Sequence, residues 1–141
     1  MAPLLMLLLW KQIQYCYFLK HNQHFHKILF LQYKQLEFLQ CGSNQMTSLK
    51  IESTKLESLE CTNNKLSELD LSKAPGLLRI YGYHNNFTSL DVSHNTVLTY
   101  LSCGDTQLTV LDVSHNTLLE SLWCEFYMLA ELNLELNTAL K

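Results

Sequence analysis

Three aspartates, Asp70, Asp91 and Asp112, recur at a spacing of 21 residues, each followed two positions later by a serine, Ser72, Ser93 or Ser114. Carboxylate and hydroxyl oxygens are ligands that Ca²⁺ accepts, so a stacked row of them raises a calcium question. No glycine-rich turn and no second carboxylate per repeat completes a coordination shell, and the row reads instead as a solvated surface or as aspartate-to-backbone turn bonds. His94 and His115 stand beside it, one per repeat, and two imidazoles supply half a metal site at most. His21, His24 and His26 cluster near the N-terminus with no cysteine or carboxylate between them. Four of the 5 cysteines, Cys41, Cys61, Cys103 and Cys124, share one slot, which Gly82 takes in the remaining repeat. Side chains in such a slot point the same way on strands about 4.8 Å apart, a poor match to disulfide geometry. A straight column also cannot converge four thiolates on a tetrahedral metal, so these thiols are expected to be reduced, buried small hydrophobes. Catalysis needs a nucleophile and a base converging in a pocket. Columns of identical side chains do not converge, and the expectation is a non-catalytic chain without metal or cofactor.

The element that positions these columns is a repeat of the form L-x-x-L-x-C-x-x-N-x-L-x-x-L-D-V-S-x-N-T-x. Its first leucine falls at Leu36, Leu56, Leu77, Leu98 and Leu119, steps of 20, 21, 21 and 21 residues, and its fourth position holds Leu39, Leu59, Ile80, Leu101 and Leu122. So short a period, with leucine at fixed offsets, marks a leucine-rich-repeat solenoid in which each coil buries its apolar edge against its neighbours. The stretch from Leu98 to Leu108 alternates like a strand, Leu101 and Cys103 inward and Tyr100, Ser102 and Gly104 outward; the second half alternates again, with Leu111 and Val113 inward. A coil this short leaves little room for a helix, and few or none are expected. The fold class is therefore mostly β: about five thin parallel coils over residues 36–141, with strands at 38–42, 58–62, 79–83, 100–104 and 121–125. Asn44, Asn64 and Asn85 recur at the first turn and Asn95, Asn116 and Asn137 at the second, where stacked amides can bridge backbone groups from coil to coil. The first column lapses at Thr106 and Tyr127.

The phrases Leu-Ser-Glu-Leu-Asp-Leu-Ser (66–72), Phe-Thr-Ser-Leu-Asp-Val-Ser-His-Asn-Thr (87–96) and Leu-Thr-Val-Leu-Asp-Val-Ser-His-Asn-Thr (108–117) resemble the short leucine-rich repeats of internalin-like bacterial surface proteins. The likeness is closest to arrays with a strand cysteine and an L-D-V-S-x-N-T return, and it covers residues 36–141. What the resemblance implies is an extracellular or cell-surface interaction module.

The first 35 residues do not follow the template. Pro3–Trp10 is an apolar run too short for a bilayer and is ended by Lys11. It lacks the basic n-region and the small-residue cleavage site of a signal peptide, and reads as a covering segment for the first coil. In residues 11–35, Tyr15, Phe18, Phe25, Ile28 and Phe30 fit apolar slots one repeat upstream, whereas Lys20 and Gln23 stand where cysteine and asparagine belong. A decayed coil, an irregular cap and a segment outside the fold all remain open. At the other end Leu140 opens a repeat that Lys141 does not continue, and the expectation is a fragment of a longer array. A net charge of −3 and a pI near 6.0 carry no footprint for nucleic acid or an anionic membrane.

One outward face stands apart. Arg79, Tyr81, Tyr83, Tyr100 and Trp123 fall on the first-strand rows of three adjacent coils, whereas the second-strand row (Ser48, Lys50, Glu68, Asp70, Ser89, Asp91, Val110, Asp112) is polar. Tyr, Trp and Arg dominate binding hot spots. Those five residues are the candidate partner-binding site, with a protein partner as the leading expectation. A structural spacer without a ligand and a glycan-binding surface are the alternatives, because aromatics also pack across strands for their own sake and stack on sugars.

Overall fold

The structure, a computed structural model, describes residues 15–17, 27–29, 34–125 and 129–141. Its eight strands are β1 (Tyr15–Tyr17), β2 (Lys27–Leu29), β3 (Phe38–Gln40), β4 (Ser48–Lys50), β5 (Ser58–Glu60), β6 (Arg79–Tyr81), β7 (Tyr100–Ser102) and β8 (Ser121–Trp123). Six form one parallel sheet in the order β1-β3-β5-β6-β7-β8, and β2 pairs with β4 in a second. The register places Leu39, Leu59, Ile80, Leu101 and Leu122 side by side, one per coil. A β-solenoid of parallel strands, with no helix among the described residues, is thus the architecture that the repeat spacing dictates.

The core is a stack of identical layers. Leu56, Leu77, Leu98 and Leu119 are fully buried, as are Leu59, Leu101, Leu66 and Leu108. Phe87 takes the slot of Leu66 and Leu108, and its ring fills the volume that cysteine occupies in other coils: a Cβ on Gly82 would sit 3.1 Å from Phe87 Cε2. Gly82 is therefore a packing exchange, one small residue for one large.

Two expectations need correction. The first strands are three residues long, not five, because beyond Gln40, Glu60, Tyr81 and Ser102 the chain enters a turn whose pivot has positive φ: Ser43, Asn63, His84 and Asp105. Among the described residues the second face carries ladder strands only at β2 and β4. From the second coil onward the return is two successive turns, with Ala74 N–H donating to Leu71 O and Leu77 N–H to Ala74 O, and the same pair at Asn95/Leu98, Asn116/Leu119 and Asn137/Leu140. Tight turns point their N–H groups back along the chain, which leaves none for a neighbouring strand.

The N-terminal strands continue the stack: β1 pairs with β3 and β2 with β4. Ile28 lies beside Leu49, at the offset of one repeat, but Cys16 lies beside Leu39, where the template pointed to Phe18. Pro3–Trp10, the residues His21, His24 and His26, the slots of Phe18, Phe25 and Phe30, and the lapse at Tyr127 lie outside the described residues.

Candidate functional site

The register arranges the outward side chains of the main sheet into rows. One row runs Arg79, Tyr100, Ser121 and the next Tyr81, Ser102, Trp123. A third, continuing beyond the strands, carries Tyr83, Gly104 and Glu125. The fourth coil holds serine and glycine where the third has two tyrosines and the fifth has Trp123 and Glu125. That difference in size makes a depression of about 320 Å³, lined by Tyr83, Tyr100, Ser102, Gly104, Trp123 and Glu125. Its walls stand two strand spacings apart, about 10 Å.

Its parts are held in place. Tyr81 and Tyr100 stack at 4.7 Å between ring centroids with 34° between planes, a tilted offset pair. Burial pushes the Tyr100 hydroxyl up from its ordinary pKa, the neighbouring Tyr81 adds to the rise, and a hydrogen bond with Ser102 pulls it part of the way back, so the phenol stays neutral. Tyr83 lies across Gly104: a Cβ there would meet Tyr83 Cδ2 and Cε2 at 3.2 Å and Glu125 N at 3.1 Å. The backbone approaches the ring as only glycine permits. Tyr83 also meets His84 edge-on at 4.1 Å, and His84 Nδ1 contacts an Asp105 carboxylate oxygen. Trp123 is 57% exposed, the largest apolar surface on this face.

Of the five residues singled out from sequence, Tyr83, Tyr100 and Trp123 border the depression. Tyr81 reaches it only by supporting Tyr100, and Arg79 does not line it. Sequence reasoning missed the floor, Ser102 and Gly104, and the acidic wall, Glu125. Aligning the coils row by row carries the signal, because small residues between large ones leave a gap.

The other candidate chemistry resolves into turn structure. The Ser72, Ser93 and Ser114 N–H groups donate to Asp70, Asp91 and Asp112 Oδ1 at 3.0, 2.9 and 2.9 Å. Hydrogen bonds from the serines hold all three carboxyls below the ordinary range. Asn133 receives the Glu135 N–H in the same way, so the slot needs an oxygen acceptor rather than a charge. Ser93 Oγ and His94 Nδ1 lie 3.3 Å apart, as do Ser114 Oγ and His115 Nδ1, on exposed turns. Among the described residues no three histidine, cysteine or acidic side chains come together as a metal would need. No helix among them is long and apolar enough to cross a membrane.

Cys41, Cys61 and Cys103 are fully buried, and burial raises the thiol pKa of Cys61 and Cys103 to about 12. Cys124 departs from the expectation of a uniformly buried column: it is only half-buried, and the burial that remains raises its pKa. Cys103 covers it on one side, whereas each inner thiol lies between two coils.

A leucine-rich-repeat family model matches residues 107–129. Among solved structures, the functional domain of InlJ from Listeria monocytogenes, described as including a cysteine ladder, is similar with a TM-score of 0.73 and 34% identity, over 81% of this chain and 26% of that one. The leucine-rich-repeat protein LIC12759 of Leptospira interrogans follows at 0.60 and 28%, over 64% and 26% of the two chains. YopM from Yersinia enterocolitica, at 0.59 and 24% over 64% and 20%, is a likeness of fold alone. No curated protein matches the chain in sequence. Parallel coils, inward leucines and asparagine columns together make this chain a leucine-rich-repeat protein. Its stacked strand cysteines and its likeness to InlJ make it an internalin-like one, spanning about a quarter of the solved InlJ domain.

Proposed function

We propose that the chain is a non-catalytic interaction module whose first-strand face, built from Arg79, Tyr81, Tyr83, Tyr100 and Trp123, docks a polypeptide partner. The observation that carries this reading is the depression in the fourth coil, floored by Ser102 and Gly104 and walled by three aromatic rings. Solenoids use extended faces of this kind for binding, and leucine-rich repeats are generally interaction modules. Rings already stacked or laid against backbone lose little conformational freedom when a partner arrives. We also infer that the module works at or beyond a bacterial cell surface, within a longer array. The likeness to a stretch of InlJ supports that location, and protease accessibility on intact cells tests it.

A displayed random-peptide library selected on the wild-type chain tests the docking face. Trp123→Ala should weaken the enriched peptides by about 2 kcal/mol or more, as hot-spot truncations do, and leave thermal stability unchanged. Asp112→Asn on the return turn is the control and should leave affinity untouched. Peptides that bind Trp123→Ala as tightly as wild type, or a library with no enrichment, would leave the coils as a spacer. Binding to an oligosaccharide array in place of peptides would move the reading to glycans, which flat rings and hydroxyls also suit.

A further inference from the structure

We infer that the depression selects a cationic side chain, an arginine or lysine presented on an extended segment of the partner. The inference rests on the docking reading and specifies which polypeptides the face accepts.

The argument is one of charge and its compensation. Among the residues lining the depression Glu125 is the only ionised group; the rest are aromatic rings, a hydroxyl and a glycine. Three other acids have a basic partner: Asp105 has His84, Glu120 has Lys141 and Glu52 has Lys50. Glu125 is exposed and has no ion-pair partner among the described residues. Arg79, the one cation on these rows, lies across the sheet in the Arg79–Tyr100–Ser121 row and does not line the depression. An unmatched carboxylate therefore stands against Tyr83, Tyr100 and Trp123.

Aromatic faces carry negative quadrupoles, and Trp is the strongest partner for a cation. A guanidinium laid on the Trp123 ring would reach both the ring and the Glu125 carboxylate, two positions along the same coil. Its planar fork suits that pairing better than an ammonium does. An acidic segment would meet Glu125 as a like charge with no cation in the depression to offset it. A neutral sugar would use the rings and leave the carboxylate as a hydrogen-bond acceptor only. The geometry thus favours a base over an acid or a sugar.

The test uses three blocked decapeptides of one Ser/Tyr composition with two central Arg, Gln or Glu residues, and maltohexaose as the sugar. Each is titrated into the full chain while the Trp123 indole N–H resonance is followed, assigned with Trp123→Phe. The Arg peptide should bind about tenfold more tightly than the Gln peptide and more tightly still than the Glu peptide, the advantage expected of a cation on a partly desolvated ring and carboxylate. Glu125→Gln should remove most of that advantage while the Gln peptide binds as before. If the Arg and Gln peptides bind equally and both are lost in Trp123→Ala, the charge inference falls and the docking face stands. If only maltohexaose shifts the indole resonance, or nothing does, both fall. If the Arg peptide keeps its advantage over Gln and Glu in Glu125→Gln, the carboxylate is not the selecting group and the inference is overturned.

Discussion

The two ends of the solenoid secure their turns with different asparagine columns. In the early coils the first-turn column does it: Asn64 Nδ2 donates to Cys41 O in the preceding coil at 3.0 Å while its Oδ1 accepts the Met46 N–H at 3.0 Å. Asn85 repeats the arrangement with Cys61 O and Leu66 N–H. In the fourth coil Thr106 bonds only Cys103 O, within its own turn, and the column stops bridging. The return-turn column begins as the first one ends. Asn95 reaches Ala74 O at 2.8 Å, and Asn116 and Asn137 each reach two carbonyls of the coil before, at 2.9–3.0 Å. Ala74 in the second coil cannot make such a bridge, and in the first coil Ser53 substitutes a hydroxyl on Leu36 O and Lys34 O. The third coil is where the two systems overlap, through Asn85 and Asn95. One coil needs a bridging amide on one side, and the array does not require it to be the same side throughout.

Removing a member of each column would test the division most strongly. Asn116→Ala removes the side-chain amide that bridges the carbonyls of Val92 and Asn95, leaving each only its backbone N–H partner, and should cost about 2 kcal/mol. Asn64→Ala should cost a similar amount. What separates them is where the structure opens, and the buried thiols report that. Asn64→Ala should speed labelling of Cys41 and Cys61 by a thiol reagent and leave Cys103 slow, and Asn116→Ala should do the reverse. Equal acceleration at all three would mean that the array opens as one unit and that the columns are not independent supports. In the unmutated chain these three thiols should react only after denaturant is added, with Cys124 faster.

A smaller effect should come from extending a column. Thr106→Asn offers an amide to Gly82 O and Phe87 N–H, the groups equivalent to those that Asn85 bridges, and should stabilise the chain by about 1 kcal/mol in urea melts. A loss of stability there would show that the fourth-coil turn cannot accommodate the bridging geometry. The smallest effect belongs to the aspartate row. These carboxyls titrate below their unfolded value of 3.8, so whatever they contribute is complete above pH 3.8 and is lost as pH falls through the lowered folded value. Asp112→Asn should leave the melting temperature unchanged at neutral pH, because Asn133 already fills the same slot in the last coil. A clear drop would make charge, rather than acceptor geometry, the function of the row.

Much of this division is legible in the sequence, since the asparagines and their lapse at Thr106 are spaced by the repeat itself. The inward leucines are legible for the same reason: period and alternation together fix which residues face the core. The strand limits are not, because the left-handed pivot is a different residue in each coil, Ser43, Asn63, His84 and Asp105, and no repeated residue marks the boundary. The register of β1 fails as a prediction because the only cues there are apolar residues, and a slip of two positions keeps their alternation. The aromatic row shows in the sequence, but the depression comes from how Tyr83 and Trp123 lie around Ser102 and Gly104. Glu125 gains meaning only once its neighbours are known to carry no cation.

The exchange of Gly82 for Phe87 bears on how such arrays change over time. Both halves of the exchange lie between Leu77 and Leu98, inside one repeat. A recombination event that duplicates, deletes or transplants this unit carries the small residue and its large complement together. Had the ring filled a gap in a neighbouring coil, every such rearrangement would have left either a void or a clash. Compensation confined to a single unit keeps that unit interchangeable, and an array made of such units can lengthen or shorten without first repairing its interior.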